Sequence, residues 1–123
     1  MADTRKLIGA FGEREAEEYL KKRGYKILET NFRCVLGEID IVAREDDSLV
    51  FVEVRTRRSL AFGTPEESIT AAKKAKLIKL GQYYVQAHQD SPSPWRIDIV
   101  AIEMGQGGKI TRIDLIQNAV DGV

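Results

Sequence analysis

Residues 37–58 read G-E-I-D-I-V-A-R-E-D-D-S-L-V-F-V-E-V-R-T-R-R, and no other stretch restricts the fold of this chain so strongly. Two apolar-rich segments, residues 38–44 and 49–56, flank the turn formers Glu45, Asp46, Asp47 and Ser48, which predicts a β-hairpin. With Asp46 and Asp47 as the loop, Val42 faces Phe51, Asp40 faces Glu53 and Glu38 faces Arg55. Period-two alternation then places Ile39, Ile41, Ala43, Val50, Val52 and Val54 on one apolar face. The other face gathers Glu38, Asp40, Glu53 and Arg55 around Val42 and Phe51.

Opposed residues in an antiparallel pair have β-carbons about 4.5–5.5 Å apart, where two carboxylates repel. Two arrangements relieve the strain between Asp40 and Glu53. A divalent cation held by oxygen ligands could sit between them, since Mg²⁺ is bound through one or two carboxylates together with substrate phosphates. Alternatively, both acids point into water and Glu38 forms a cross-strand ion pair with Arg55.

A chain of 123 residues fits one domain, large enough to bury a single core without disulfides or a structural metal. One cysteine, Cys34, cannot form an internal disulfide, and with the one histidine, His88, it cannot build a zinc site of the usual kind. A reduced, cytoplasmic protein is expected. Residues 1–6 contain no long apolar run, and no later segment approaches the roughly 18 apolar residues of a membrane span.

The formal net charge is zero, which argues against nucleic-acid binding by bulk charge. Its distribution is uneven. From residue 55 to residue 79 lie Arg55, Arg57, Arg58, Lys73, Lys74, Lys76 and Lys79 against two acids, Glu66 and Glu67. A basic stretch starting beside an acidic hairpin suits a phosphodiester ligand, with a metal at one phosphate and cations at its neighbours. A solvated helix face has the same composition.

The remaining pattern predicts helix, three strands, helix and two strands. The first helix runs from Thr4, as N-cap, to Arg23, with Gly24 as its stop. Gly9, Glu13, Ala16 and Leu20 share one of its stripes, with Gly12 nearby, so the backbone could approach a sheet closely and Glu13 could point inward. Residues 25–32 form the first strand, and the hairpin supplies the next two. Thr64, Pro65 and Glu67 make a capping-box signature for a second helix reaching Ala87, with Ile69, Leu77, Leu80 and Tyr84 for packing. Lys73 lies on the Ile69–Leu77 stripe, either delivering its ammonium to the acidic site or snorkelling past apolar neighbours. After a Ser91-Pro92-Ser93-Pro94 loop come strands over residues 95–103 and 109–116, paired as a hairpin. A strand, a long helix and another strand favour a right-handed parallel crossover, and so a mixed sheet flanked by helices. Asp98 reads as a structural or solvent-facing acid outside the site.

The segments Gly37-Glu38-Ile39-Asp40 and Phe51-Val52-Glu53-Val54-Arg55 resemble the D…(D/E)-x-K core of the restriction-endonuclease-like superfamily of metal-dependent nucleases. More closely, the chain resembles the YraN-like family of small bacterial proteins, related to archaeal Holliday-junction resolvases. The likeness also takes in Gly12, Glu13, Ala16, Tyr19 and Leu20; Phe62, Gly63, Pro65, Ile69 and Lys73; residues 96–100; and Asn118-Ala119. It implies an α/β, restriction-endonuclease-like mixed sheet in the order α-β-β-β-α-β-β.

The resemblance further implies that Asp40 and Glu53 are ligands for Mg²⁺ or Mn²⁺, with the Val54 backbone carbonyl as a third contact. Glu13 would hold the metal directly or through water. Arg55 stands where the superfamily usually has lysine; it keeps its charge and is a poor proton acceptor, so it can steady a phosphate but not take a proton. Glu38 would orient Arg55, or add an acid near the metal. Arg57, Arg58, Lys73 and Lys74 would contact flanking phosphates, which positions a duplex without reading bases. The expected activity is phosphodiester hydrolysis in DNA, including branched or junction DNA, for which a homodimer would supply two sites on a two-fold axis. Two rivals keep the same residues: a nuclease-fold protein that binds DNA or a DNA-processing partner without cutting, and a fold whose acids hold a structural cation.

Overall fold

The computed structural model describes residues 3–59, 61, 63–88 and 94–123. Its elements are α1 (Thr4–Lys22), β1 (Lys26–Cys34), β2 (Gly37–Glu45), β3 (Ser48–Arg57), a 3₁₀ turn (Glu66–Ser68), α2 (Ala71–Ala87), β4 (Trp95–Met104) and β5 (Ile110–Ile116). The expected order α-β-β-β-α-β-β is the observed one. The strands form one mixed sheet in the order β1-β2-β3-β4-β5. Among the described residues only β3 and β4 pair in parallel, and the connection between them carries α2. The 91–94 loop, apart from Pro94, and Phe62 lie outside the described residues.

Two apolar clusters pack on opposite faces of the sheet. Ala16 and Leu20 of α1 meet Ile41, Ala43, Val50, Val52, Val100 and Ile102 on one side. Leu77, Leu80 and Tyr84 of α2 meet Val42, Leu49, Phe51 and Ile97 on the other. Burial on both faces explains why residues 49–52 are continuously apolar instead of alternating with polar residues. Glycine lets each helix come close. A β-carbon on Gly12 would fall 2.1 Å from Thr56 Oγ1, and one on Gly81 would fall 2.4 Å from the Trp95 ring. Among the described residues, no helix is long and apolar enough to cross a membrane.

Several boundaries differ from the sequence-based expectation. The N-cap of α1 is Asp3, whose Oδ1 accepts the Arg5 N–H at 2.9 Å, because the aspartate reaches the exposed amides one residue earlier than Thr4 would. The capping box at Thr64 and Glu67 is present, with reciprocal bonds of 2.8 and 3.3 Å, but it caps only the short 3₁₀ turn. At Ile69 the backbone becomes extended (φ −85°, ψ 108°) as its side chain buries, and Thr70 starts α2 afresh by accepting the Lys73 N–H at 3.1 Å. Gly9, expected on the packing stripe of α1, is exposed; Gly12, Ala16 and Leu20 form the buried stripe.

The regular alternation of β2 also fails at one place. Ile39 packs in the α2-side cluster, whereas Ile41 packs in the α1-side cluster. In the neighbouring strand, between the pairs Thr30–Ile41 and Phe32–Ile39, Asn31 has a left-handed backbone (φ 54°). The change of face in β2 falls opposite this residue, and Ile39 leaves the face it was expected to share with Ile41.

Candidate functional site

The β2–β3 ladder follows the expected register over five pairs, from Glu45–Ser48 to Ile41–Val52, including Val42–Phe51. Asp40 and Glu53 would form the next pair, but the ladder stops before them. Asp40 instead uses its carboxylate, and Oδ2 accepts the Val54 N–H at 2.8 Å. The two strands open at this point, and the acids gather at the fork.

At the end of β2, Glu38 and Asp40 meet Glu13 from α1. One carboxylate oxygen from each of the three lies within 4.8 Å of the others, a spacing that could hold a metal ion. Burial pushes the Asp40 carboxyl up to about 8; the Glu53 charge adds to this, the Val54 N–H opposes it, and Glu13 raises it further. Glu13 is also raised, first by burial, with the charges of Glu38 and Glu53 adding and a hydrogen bond to Asp40 opposing. Three carboxylates so close together, with the pKa values of Glu13 and Asp40 raised, offer the all-oxygen donor set that a small hard divalent cation takes.

Glu53 is held differently. Only 5% of its side chain is exposed, and its Oε2 receives the Arg55 guanidinium through Nε at 3.1 Å and Nη2 at 2.9 Å, with Lys73 Nζ at 3.6 Å. The expected ion pair between Glu38 and Arg55 does not form. Arg55 folds back onto Glu53 two residues away in its own strand, and Glu38 faces Arg33 across the β1–β2 ladder at 3.5 Å. Expectation paired the two across a regular hairpin, and the opened ladder separates them.

These groups line an open cleft of about 970 Å³. Glu13, Glu38, Asp40, Glu53, Val54, Arg55, Arg57, Arg58 and Lys73 all border it, so most of the residues singled out in the sequence come together. Lys74 does not; it is exposed on α2, beyond the cleft wall. Arg5, Thr56 and Ser68 border the cleft without having been anticipated. Glu38 joins the acid cluster, a role its two-residue spacing from Asp40 signals because i and i+2 share a strand face. Asp98 is fully buried away from the cleft, accepting hydrogen bonds from Tyr25 Oη at 2.7 Å, Arg96 Nε at 3.0 Å and the Asn118 N–H at 2.9 Å. It is structural, not solvent-facing.

Sequence comparison places the chain among relatives of closely similar length. It is 49% identical over 123 residues to a UPF0102 protein of Roseiflexus castenholzii, with 98% of each chain covered. A UPF0102 protein of Dehalococcoides mccartyi is 48% identical over 120 residues, again with 98% of each covered. One from Caldicellulosiruptor saccharolyticus is 46% identical over 116 residues, covering 94% of this chain and 98% of its own. The pattern of the family described as "Uncharacterised protein family UPF0102" matches residues 12–102, from the helical glycine beside Glu13 to the end of the β4 core. The chain belongs to the uncharacterised protein family UPF0102.

Proposed function

We propose that this protein is a metal-dependent endonuclease that hydrolyses phosphodiester bonds in DNA. The observation that carries the reading is the convergence in one open cleft of the Glu13–Glu38–Asp40 carboxylates with the Glu53–Arg55–Lys73 cluster. Glu13, Glu38 and Asp40 would hold Mg²⁺ or Mn²⁺, with Glu53 and the Val54 carbonyl at the same edge of the cleft. Such an ion, when bound, lowers the pKa of water and offsets charge on a phosphoryl oxygen.

The chain's own groups supply the rest. The Val54 N–H fixes the orientation of Asp40 and leaves its second oxygen for the cation. Glu53 steadies the Arg55 guanidinium, whose remaining N–H groups can donate to the non-bridging oxygens of a phosphate. Arg55 stays charged at any working pH, so it stabilises negative charge and moves no proton. Arg57 and Arg58, further along the cleft, hold flanking phosphates and position the strand.

A branched DNA is the favoured substrate shape, by likeness to junction resolvases, and cutting both strands of a junction would require a homodimer. The double engagement of Glu53 by Arg55 and Lys73 supports a second reading, a DNA-binding protein that does not cut. Labelled single strands, duplex, flap, fork and four-way junction, incubated with Mg²⁺ or Mn²⁺, separate the two readings. Cutting by the parent and not by Asp40→Ala supports the nuclease. Binding without cutting, equal in parent and variant, supports the accessory protein.

A further inference from the structure

The wall of the cleft formed by α1 contains a glycine that the fold does not require. Gly9 lies inside a 19-residue helix, is exposed, and a β-carbon added there would meet no atom within 4 Å. The contrast with Gly12, one turn later, is sharp, since a β-carbon there would collide with Thr56. Nor does Gly9 share the left-handed backbone of Gly24 beyond the helix end (φ 90°). After proline, glycine is the poorest helix former, so this residue weakens α1 without serving its packing or its conformation.

Its location offers a reason. Arg5, Gly9 and Glu13 recur at i, i+4 and i+8, and all three border the cleft. A helix rise of 1.5 Å per residue sets Arg5 and Glu13 about 12 Å apart along the axis, with the bare backbone of Gly9 midway and Ile8 beside it on the cleft wall. The Arg5 side chain is 95% exposed, and its one ion pair among the described residues, with Asp3, is long at 4.0 Å. A cation, a gap and the acid cluster therefore follow one another along a single wall.

We propose that Gly9 is the point of closest approach between the nucleic-acid backbone and the protein. The strand that presents its scissile phosphate at Glu13, Glu38 and Asp40 runs along α1 and crosses Gly9, where a side chain would hold it away, and Arg5 takes a neighbouring phosphate. This inference rests on the nuclease reading and adds the path of the strand to it.

The test measures binding of fluorescent duplex and four-way junction, with Ca²⁺ as the divalent ion, for the full-length parent, Gly9→Leu, Gly9→Ala and Arg5→Ala, alongside melting temperatures. Gly9→Leu is expected to melt no lower than the parent and to bind at least tenfold more weakly. Because no charge changes, its salt dependence should match the parent's, whereas Arg5→Ala should reduce the salt slope by about one. Parent-like binding by a Gly9→Leu variant that melts normally overturns the proposal. If Gly9→Leu melts lower, Gly9→Ala decides: weaker binding with a raised melting temperature supports the strand path, and unchanged binding overturns it. A parent that binds no nucleic acid overturns both this inference and the reading beneath it, so the two failures are distinct.

Discussion

Asp40 accepts the Val54 N–H through Oδ2 at 2.8 Å, so the side chain at the centre of the acid cluster also ends the β2–β3 ladder. Structure and chemistry thus meet in one carboxylate. The hydrogen bond orients it, and the burial needed to form the bond raises its pKa to about 8, which disfavours the charge unless a cation compensates.

Asp40→Asn separates these two roles, because the amide oxygen can still accept the Val54 N–H while the charge is gone. In metal-free buffer the variant should melt at or above the parent's temperature, having lost a crowded carboxylate. Mg²⁺ or Mn²⁺ should raise the parent's melting temperature and leave the variant's unchanged, and cleavage should fall at least about a hundredfold. An undiminished metal response in the variant would remove Asp40 from the site.

Gly12→Ala tests how closely α1 must approach the sheet to deliver Glu13. The new β-carbon would sit 2.1 Å from Thr56 Oγ1 and 3.3 Å from Thr56 Cβ. Overpacking of this kind costs about 1–3 kcal/mol. Adding Thr56→Ala removes the nearer contact, so the double variant should recover much of the loss. Denaturant unfolding of all four proteins in a double-mutant cycle reads the coupling, and simple additivity would count against the contact.

Arg55→Lys exchanges a forked donor for a point charge. The parent guanidinium reaches Glu53 through both Nε and Nη2, which an ammonium cannot reproduce, so stability should drop by about 1 kcal/mol. Cleavage should be retained, because the positive charge beside the phosphate remains, whereas Arg55→Ala should abolish it. Single-turnover rates on the preferred substrate check both. Equal rates for the alanine variant and the parent would show that the guanidinium takes no part.

Arg57 and Arg58 are expected to hold phosphates without reading bases. The double alanine variant should bind all sequences more weakly by the same factor, and the slope of log K against log salt should flatten by about two. Anisotropy titrations at several salt concentrations measure this, and an unaltered slope would rule out the contact.

The 3₁₀ turn that borders the cleft is clamped by Arg112, which donates to Glu66 Oε1 at 3.0 Å and to Oε2 at 2.6 Å. This pairing pulls the Glu66 carboxyl from 4.5 to about 2. A lowered acid stabilises the fold above its unfolded pKa, and that stability is lost as pH falls through the folded pKa. The window is therefore pH 4.5 down to about 2. Because both side chains are about a quarter exposed, solvent screening reduces the contribution to about 1–2 kcal/mol. Glu66→Gln should be less stable than the parent by that amount at pH 7, and the gap should close on acidification. Parallel stability curves across the window would contradict the assignment.

Local chemistry made much of the fold legible in the sequence. The hairpin register from residue 41 to residue 52, the stop at Gly24, the order of the elements and the parallel pairing of β3 with β4 follow from alternation, turn residues and connection length. Asp40, Glu53 and Glu13 were likewise visible as acids placed where a sheet or helix turns inward. The capping box at Thr64 is present as a local bond pattern, yet it caps a 3₁₀ turn and not the long helix that the sequence predicts. Burial of Ile69, which only the packed sheet provides, breaks the backbone there.

By itself the sequence determined which residues could form strands and helices and which carried the site's charge, because those properties act over a few neighbouring positions. Only the tertiary structure decided that Glu38 joins Glu13 and Asp40, that Arg55 and Lys73 turn to Glu53, and that Gly9 faces the cleft while Gly12 packs. Those outcomes go with the change of face in β2, the opening of two strands beside Asp40 and the seating of α1 on Thr56. Each concerns how one segment lies against another, where a small change of direction carries a charged side chain to a different partner.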